Sequence, residues 1–198
     1  MRFEVNMTKK VTCVVLCLAT LFFMTACGAE VPQEETQTIV FSRRFLGIAD
    51  AYPEEWMEQI NDLGADQYQE FYISNDGESV TMVITPEQRE FWLSIVAKGL
   101  DNLKRGINGV NSAYLIEYSE DYAHMDAYYN LELPATDAIY YVIKTEVFCI
   151  FGQLLNGAEA EDWFVSCNIY NSDTGKLVTS GDSNTGLSYE PSDWEASQ

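Results

Sequence analysis

Residues 136–155 read TDAIYYVIKTEVFCIFGQLL, and this stretch decides the fold. A helix drawn through it has apolar side chains on most sides, which is typical of a helix buried in the core of a domain. Thr136 is a residue type that favours the start of a helix. Lys144, Glu146 and Gln153 argue against a membrane span. We therefore expect this helix to lie at the centre of the core, with other elements packed around it.

Outward from this helix, the chain predicts one unit three times: a helix followed by a β-hairpin. The predicted helices cover residues 53–63, 86 to about 105, and 136–155, and the predicted hairpins cover residues 67–85, 113–129 and 163–180. A further strand is predicted at 38–42. Hairpins pair antiparallel, so these segments give an antiparallel sheet of six or seven strands. We predict an α+β, two-layer domain with the helices on one sheet face and the other face partly open.

The second helix has the clearest start signal. In Thr85-Pro86-Glu87-Gln88, a hydroxyl at the N-cap, proline at the first helical position and glutamine two places later form a capping-box arrangement. Leu103 belongs to the apolar stripe predicted for this helix, and Gly106 is a typical stop. Both ends of the helix are therefore predicted from local chemistry.

The N-terminus carries a targeting pattern. Lysines at positions 9 and 10 precede an apolar run of 14 residues, 11–24, and the small pair Thr25-Ala26 separates that run from Cys27. The order resembles the signal peptide of bacterial lipoproteins, in which leucine usually stands where this chain has Met24. An apolar run this short is below the roughly 20 residues that a membrane-spanning helix needs.

The resemblance implies that residues 1–26 are a signal peptide and that Cys27 is the lipidation site, carrying acyl chains such as palmitate. It also implies anchoring to the outer face of the cell membrane. Two alternatives stay open: an ordinary secretory signal cut elsewhere, and an uncleaved anchor. We expect residues 27–37 to be a flexible stalk, residues 38–181 a single globular domain and residues 182–198 a mobile acidic tail.

The charge of the chain is strongly negative. The whole sequence has 11 basic and 31 acidic residues. Without the first 26 residues, 8 basic and 30 acidic residues remain, for a net charge of −22. Nucleic-acid binding needs basic stripes that displace counterions, so we expect no nucleic-acid partner. A negative field attracts cations and basic peptides, although solubility alone is a competing explanation.

Cys149 and Cys167 are the two cysteines after Cys27. One disulfide between them is possible in an exported domain, and two buried thiols are the equally favoured alternative. Two isolated cysteines and one distant histidine lack the spacing of a metal site. We therefore predict no metal and no cofactor.

His124 is the only histidine. It alternates with Asp126 on a predicted strand, and the drawn hairpin places Glu117 opposite His124. These three residues are weak candidates for a cation site or for acid–base catalysis. A solvated surface group is the competing interpretation.

Tyrosines on the predicted strands suggest a contact surface. Tyr122, Tyr128 and Tyr170 are the candidates for ligand contact, because tyrosine on an open sheet face suits peptide or glycan binding. We expect a membrane-tethered, extracytoplasmic, non-enzymatic protein that binds a protein, a basic peptide or a cell-wall component. The alternative is a small metal-dependent or acid–base hydrolase that uses Glu117, His124 and Asp126.

Overall fold

The computed structural model describes residues 35–110, 114–130, 135–188 and 190–198. The predicted signal peptide, the predicted lipidation site Cys27 and most of the predicted stalk lie outside these residues. The described chain forms, in order, β1 (Gln37–Phe41), α1 (Arg43–Ala49), α2 (Pro53–Gly64), β2 (Glu70–Ile73), β3 (Val80–Ile84), α3 (Pro86–Val110), β4 (Leu115–Tyr118), β5 (His124–Tyr129), α4 (Ala135–Leu155), β6 (Ser166–Asn171), β7 (Leu177–Asp182) and α5 (Pro191–Ala196).

The strands form two sheets, so the prediction of one sheet with six or seven strands is wrong. The first sheet has the order β1-β3-β2 and the second has the order β4-β5-β6-β7. Strand β3 pairs with β1 on one side and with β2 on the other, which leaves it no edge for a later strand. The 25 residues of α3 then span about 38 Å and carry the chain away from the first sheet. The α+β class and the three hairpins are confirmed.

Strands β5 and β6 pair parallel, which contradicts the all-antiparallel prediction. Helix α4 connects these two strands, and a helical crossover brings the second strand back in the same direction as the first. Their register places His124 beside Ser166 and Tyr128 beside Tyr170. This parallel pair joins the two C-terminal hairpins into one four-stranded sheet.

Helix α4 occupies the core, as predicted. It contacts α1 and α3 and reaches both sheets, through β1 and β5. Phe151 on α4 lies in an aromatic cluster with Phe41, Trp56 and Trp92, with ring centroids 5.3 to 6.3 Å from its own. The N-terminal half of α4 is apolar on its exposed side as well, at Ile139, Tyr140 and Ile143.

By length and composition, residues 138–155 qualify as a membrane span, contrary to the sequence expectation. More than half of these residues are buried inside the domain, and the core helix of a soluble domain passes the same test. The contacts with both sheets are those of a core helix.

The capping box predicted for α3 is confirmed. The Gln88 amide N–H donates to Thr85 Oγ1 at 3.3 Å, and the Thr85 amide N–H donates to Gln88 Oε1 at 3.0 Å. The helix continues past Gly106 to Val110. Leu100 belongs to its buried core face together with Trp92 and Val96 and is 2% exposed, whereas Leu103 is only half-buried.

The C-terminal segment differs from the predicted mobile tail. The segment contains helix α5, and Trp194 of this helix is buried against Tyr129, with ring centroids 5.1 Å apart. The Asn171 side-chain amide donates to the carbonyl oxygen and hydroxyl of Ser197. The Trp194 contact and these hydrogen bonds hold the segment against the domain. Helix α1 was also not predicted; Ser42 Oγ caps it by accepting from the Phe45 amide.

Candidate functional site

One face of the four-stranded sheet is turned away from the helices. Its strands bury alternate residues such as Ile116, Met125, Ala127 and Ile169 on the helix side. The residues between them form what we call the open face: Leu115, Glu117, His124, Asp126, Tyr128, Ser166, Asn168, Tyr170, Leu177 and Ser180. Leu177 is 50% exposed.

The register arranges the open face in rows that cross the strands. The apolar row is Leu115, Tyr128, Tyr170 and Leu177. The polar row beside it is Glu117, Asp126, Asn168 and Ser180. His124 and Ser166 form the next pair along the strands. Alternate residues of a strand share a face, so aromatic rings and carboxylates lie next to each other there.

His124 is held by two side chains of the open face. Its Nδ1 lies 2.8 Å from Ser166 Oγ, and its Nε2 lies 3.0 Å from Asp126 Oδ1. The Asn168 side-chain amide donates to the same carboxylate oxygen at 3.0 Å. The imidazole is still 42% exposed and Asp126 is 23% exposed. The group is ordered by hydrogen bonds but remains open to solvent.

The expected position of Glu117 needs correction. It pairs with Asp126, and the residue opposite His124 on β6 is Ser166. The difference arises because β5 begins at His124, with Ser119 bonded to the His124 backbone in the turn. Glu117 therefore supplies a second carboxylate next to Asp126. The His124 imidazole forms its hydrogen bond with Asp126. Among the described residues, no group of three or more His, Cys, Asp or Glu side chains is placed to hold a metal ion.

Two of the three candidate tyrosines lie together. The rings of Tyr128 and Tyr170 stack at a centroid distance of 4.9 Å and an interplanar angle of 15°. Partial desolvation, followed by the charges of Asp126 and Glu117, raises the pKa of the Tyr128 hydroxyl above its ordinary value. The Tyr128 hydroxyl therefore stays protonated at neutral pH, next to the two carboxylates.

Tyr122 does not join the open face, contrary to the sequence prediction. It lies in the turn before β5 with a φ of 61°, and this left-handed conformation turns its ring toward α4. A Cβ added at Gly152 would lie 2.7 Å from that ring, so the absence of a side chain at Gly152 makes room for it. The alternation of residues in β5 does not extend back into the turn.

Cys149 and Cys167 are both free, buried thiols, so the structure holds no disulfide between them. Burial is the main cause that raises the pKa of each thiol to about 12. Both therefore remain protonated and unreactive at neutral pH. Of the two alternatives, the structure has the buried thiols.

A second polar site lies between α4 and the end of β7, where Asp182 pairs with Ser166 of β6. Glu146 of α4 lines a cavity of about 110 Å³ together with Asp182, Ser183 and apolar side chains. Burial raises the pKa of Glu146 to about 7; Arg44 lowers it and Asp182 raises it further. Arg44 lies over the Trp163 ring, 3.7 Å from its centroid, and donates to Asn184 Oδ1 at 2.6 Å. These contacts fix α1 to the segment that follows β7.

Ser166 and Asn168 are site residues that sequence reasoning missed. Each is brought to the His124 pair by parallel strand pairing across 42 positions of the chain. Their alternation within β6 was a usable signal, but only together with the knowledge that β6 lies beside β5. Comparisons with protein-family models, with curated proteins and with solved structures found no match.

Proposed function

We propose that this protein is a lipid-anchored, extracytoplasmic binding protein and that the open face holds a basic, extended segment of a partner protein. The order of residues around Cys27 supports the anchor. The strand register supports the binding face, because it places the apolar row, which contains two tyrosines, next to the polar row, which contains two carboxylates. That adjacency is the observation that carries the proposal.

The chemistry of the two rows favours a basic segment. Glu117 is exposed and has room to pair with a lysine or arginine, and Asp126 reinforces the negative charge beside it. The stacked rings of Tyr128 and Tyr170 offer apolar surface on which the aliphatic stem of such a side chain can pack. The net charge of −22 beyond the signal region attracts a basic partner from a distance.

A peptide array tests the proposal. The full chain in detergent micelles is applied to extended peptides in which lysine or arginine alternates with tyrosine or leucine, and to matched peptides with glutamate at the basic positions. We expect retention of the basic set only. Glu117→Gln should weaken it about two- to fivefold, the size of an exposed ion pair. Glu58→Gln removes the same charge from an exposed position on α2 and should change nothing.

The outcomes separate the parts of the proposal. Retention of glutamate peptides as strongly as basic ones would refute charge recognition. Binding of cell-wall glycan in place of peptide would assign the face to a wall component. Mass spectrometry of membrane-extracted protein tests the anchor in the same preparation. An unacylated Cys27 there would refute the lipid anchor and leave the binding face standing.

A further inference from the structure

The hydrogen-bonded chain Ser166–His124–Asp126 has the connectivity of an activated serine. Ser166 Oγ lies 2.8 Å from one ring nitrogen, and the Asp126 carboxylate lies 3.0 Å from the other. A carboxylate only accepts hydrogen bonds, so the imidazole proton belongs on Nε2. Nδ1 is then free to accept the proton of the serine hydroxyl.

We propose that Ser166 is a nucleophile, with His124 as its general base and Asp126 as the group that orients the imidazole, and that the open face cleaves activated carboxylic esters. The activity goes beyond partner binding and does not require it. It also differs from the acid–base group expected from the sequence, since Ser166 takes the place assigned to Glu117.

The proposed step is balanced in atoms and protons. Ser166 Oγ bonds to the ester carbonyl carbon as its proton passes to His124 Nδ1. The bond from that carbon to the leaving oxygen breaks, and the same proton passes from Nδ1 to the departing alcohol. His124 Nδ1 then takes a proton from water as the water oxygen bonds to the acyl carbon. The bond from that carbon to Ser166 Oγ breaks, the acid leaves, and the proton on Nδ1 passes to Ser166 Oγ.

The surroundings of Ser166 limit the substrate class. Its own amide N–H is engaged with the Ala123 carbonyl at 2.9 Å, and the Val165 amide is engaged with Ser183 Oγ at 3.1 Å. The two amides on this side of the nucleophile are therefore not free to stabilise an oxyanion. Ser166 Oγ also has a longer contact, 3.3 Å, with the Ala123 carbonyl. Esters with good leaving groups fit such a site, whereas peptide bonds do not.

A fluorophosphonate probe tests the proposal on the full chain in detergent micelles. Attack by Ser166 Oγ forms an oxygen–phosphorus bond and expels fluoride, and peptide mapping locates the adduct. We expect a single adduct on Ser166. His124→Gln should slow labelling by about 10²-fold or more, because no imidazole is then present to accept the serine proton. Ser166→Ala should abolish labelling.

Ser172→Ala is the matched control, since it removes an exposed serine from the turn between β6 and β7, outside the open face. It should label as the unaltered protein does. Failure of the unaltered protein to label, an adduct on another residue, or equal rates in a folded His124→Gln variant would each overturn the proposal. Because the adduct is located by peptide mapping of the unaltered protein, the proposal is tested even if a variant does not fold. Binding of basic peptides is scored separately, so either proposal can fail alone.

Discussion

Glu146 is the residue through which pH should act on stability. Burial raises its pKa from an ordinary 4.5 to about 7 in the folded domain. Its favourable contribution is therefore complete below pH 4.5, where it is protonated in both states, and is lost as the pH rises through 7. Glu146→Gln stays neutral throughout.

We predict that the difference in unfolding free energy between Glu146→Gln and the unaltered protein grows between pH 4.5 and 8, in favour of the variant. By linkage the change is about 3 kcal/mol. Urea unfolding at a series of pH values measures it, with Glu58→Gln as the exposed control. A difference that stays constant over this range would mean that Glu146 ionises freely in the folded protein.

At the same scale, the sequence predicted part of the site and no more. Alternation along β5 was sufficient to put His124, Asp126 and Tyr128 on one face. The same rule failed at Tyr122, because a residue with a φ of 61° leaves the strand geometry. Ser166 was out of reach, since its partner His124 is 42 residues away and nothing local encodes that pairing.

At the scale of helices and strands, the features that depend on neighbouring residues could be predicted from the sequence. The hairpin over residues 67–85, the capping box at Thr85 and the long apolar run in α4 were all visible in the sequence. Pairing between distant strands was not, because any apolar alternation suits many neighbours. The β5–α4–β6 connection was the available clue to parallel pairing, since a helix of 21 residues joins those strands.

Helix α3 offers a prediction at the element scale. Leu100 is fully buried on the α3 face that meets the core, and Leu103 lies at its edge. Leu100→Ala should cost about 2 to 5 kcal/mol of unfolding free energy through the cavity it leaves. Leu103→Ala, which deletes the same atoms, should cost clearly less. Equal losses in urea unfolding would show that the helix presents a different face to the core.

At the scale of the whole molecule, the negative charge of the chain has the same sign as the carboxylates that the fold places on the open face. Residues 27–198 have a net charge of −22, and two of their carboxylates lie beside the apolar row of the open face. The composition of the chain predicts a basic partner. The surface that we propose for this partner could not be predicted from composition, because it depends on which strands are neighbours.

The central claim is that the open face holds a basic segment, and the dissociation constant of an array-selected basic peptide tests it most directly. Isothermal titration of the full chain compares the unaltered protein with Tyr170→Ala and Tyr72→Ala. Both tyrosines lie on strands, but Tyr72 is 46% exposed on the other sheet. We predict about tenfold weaker binding for Tyr170→Ala, the usual loss for a central aromatic contact, and none for Tyr72→Ala. Equal affinity in all three proteins would contradict the account.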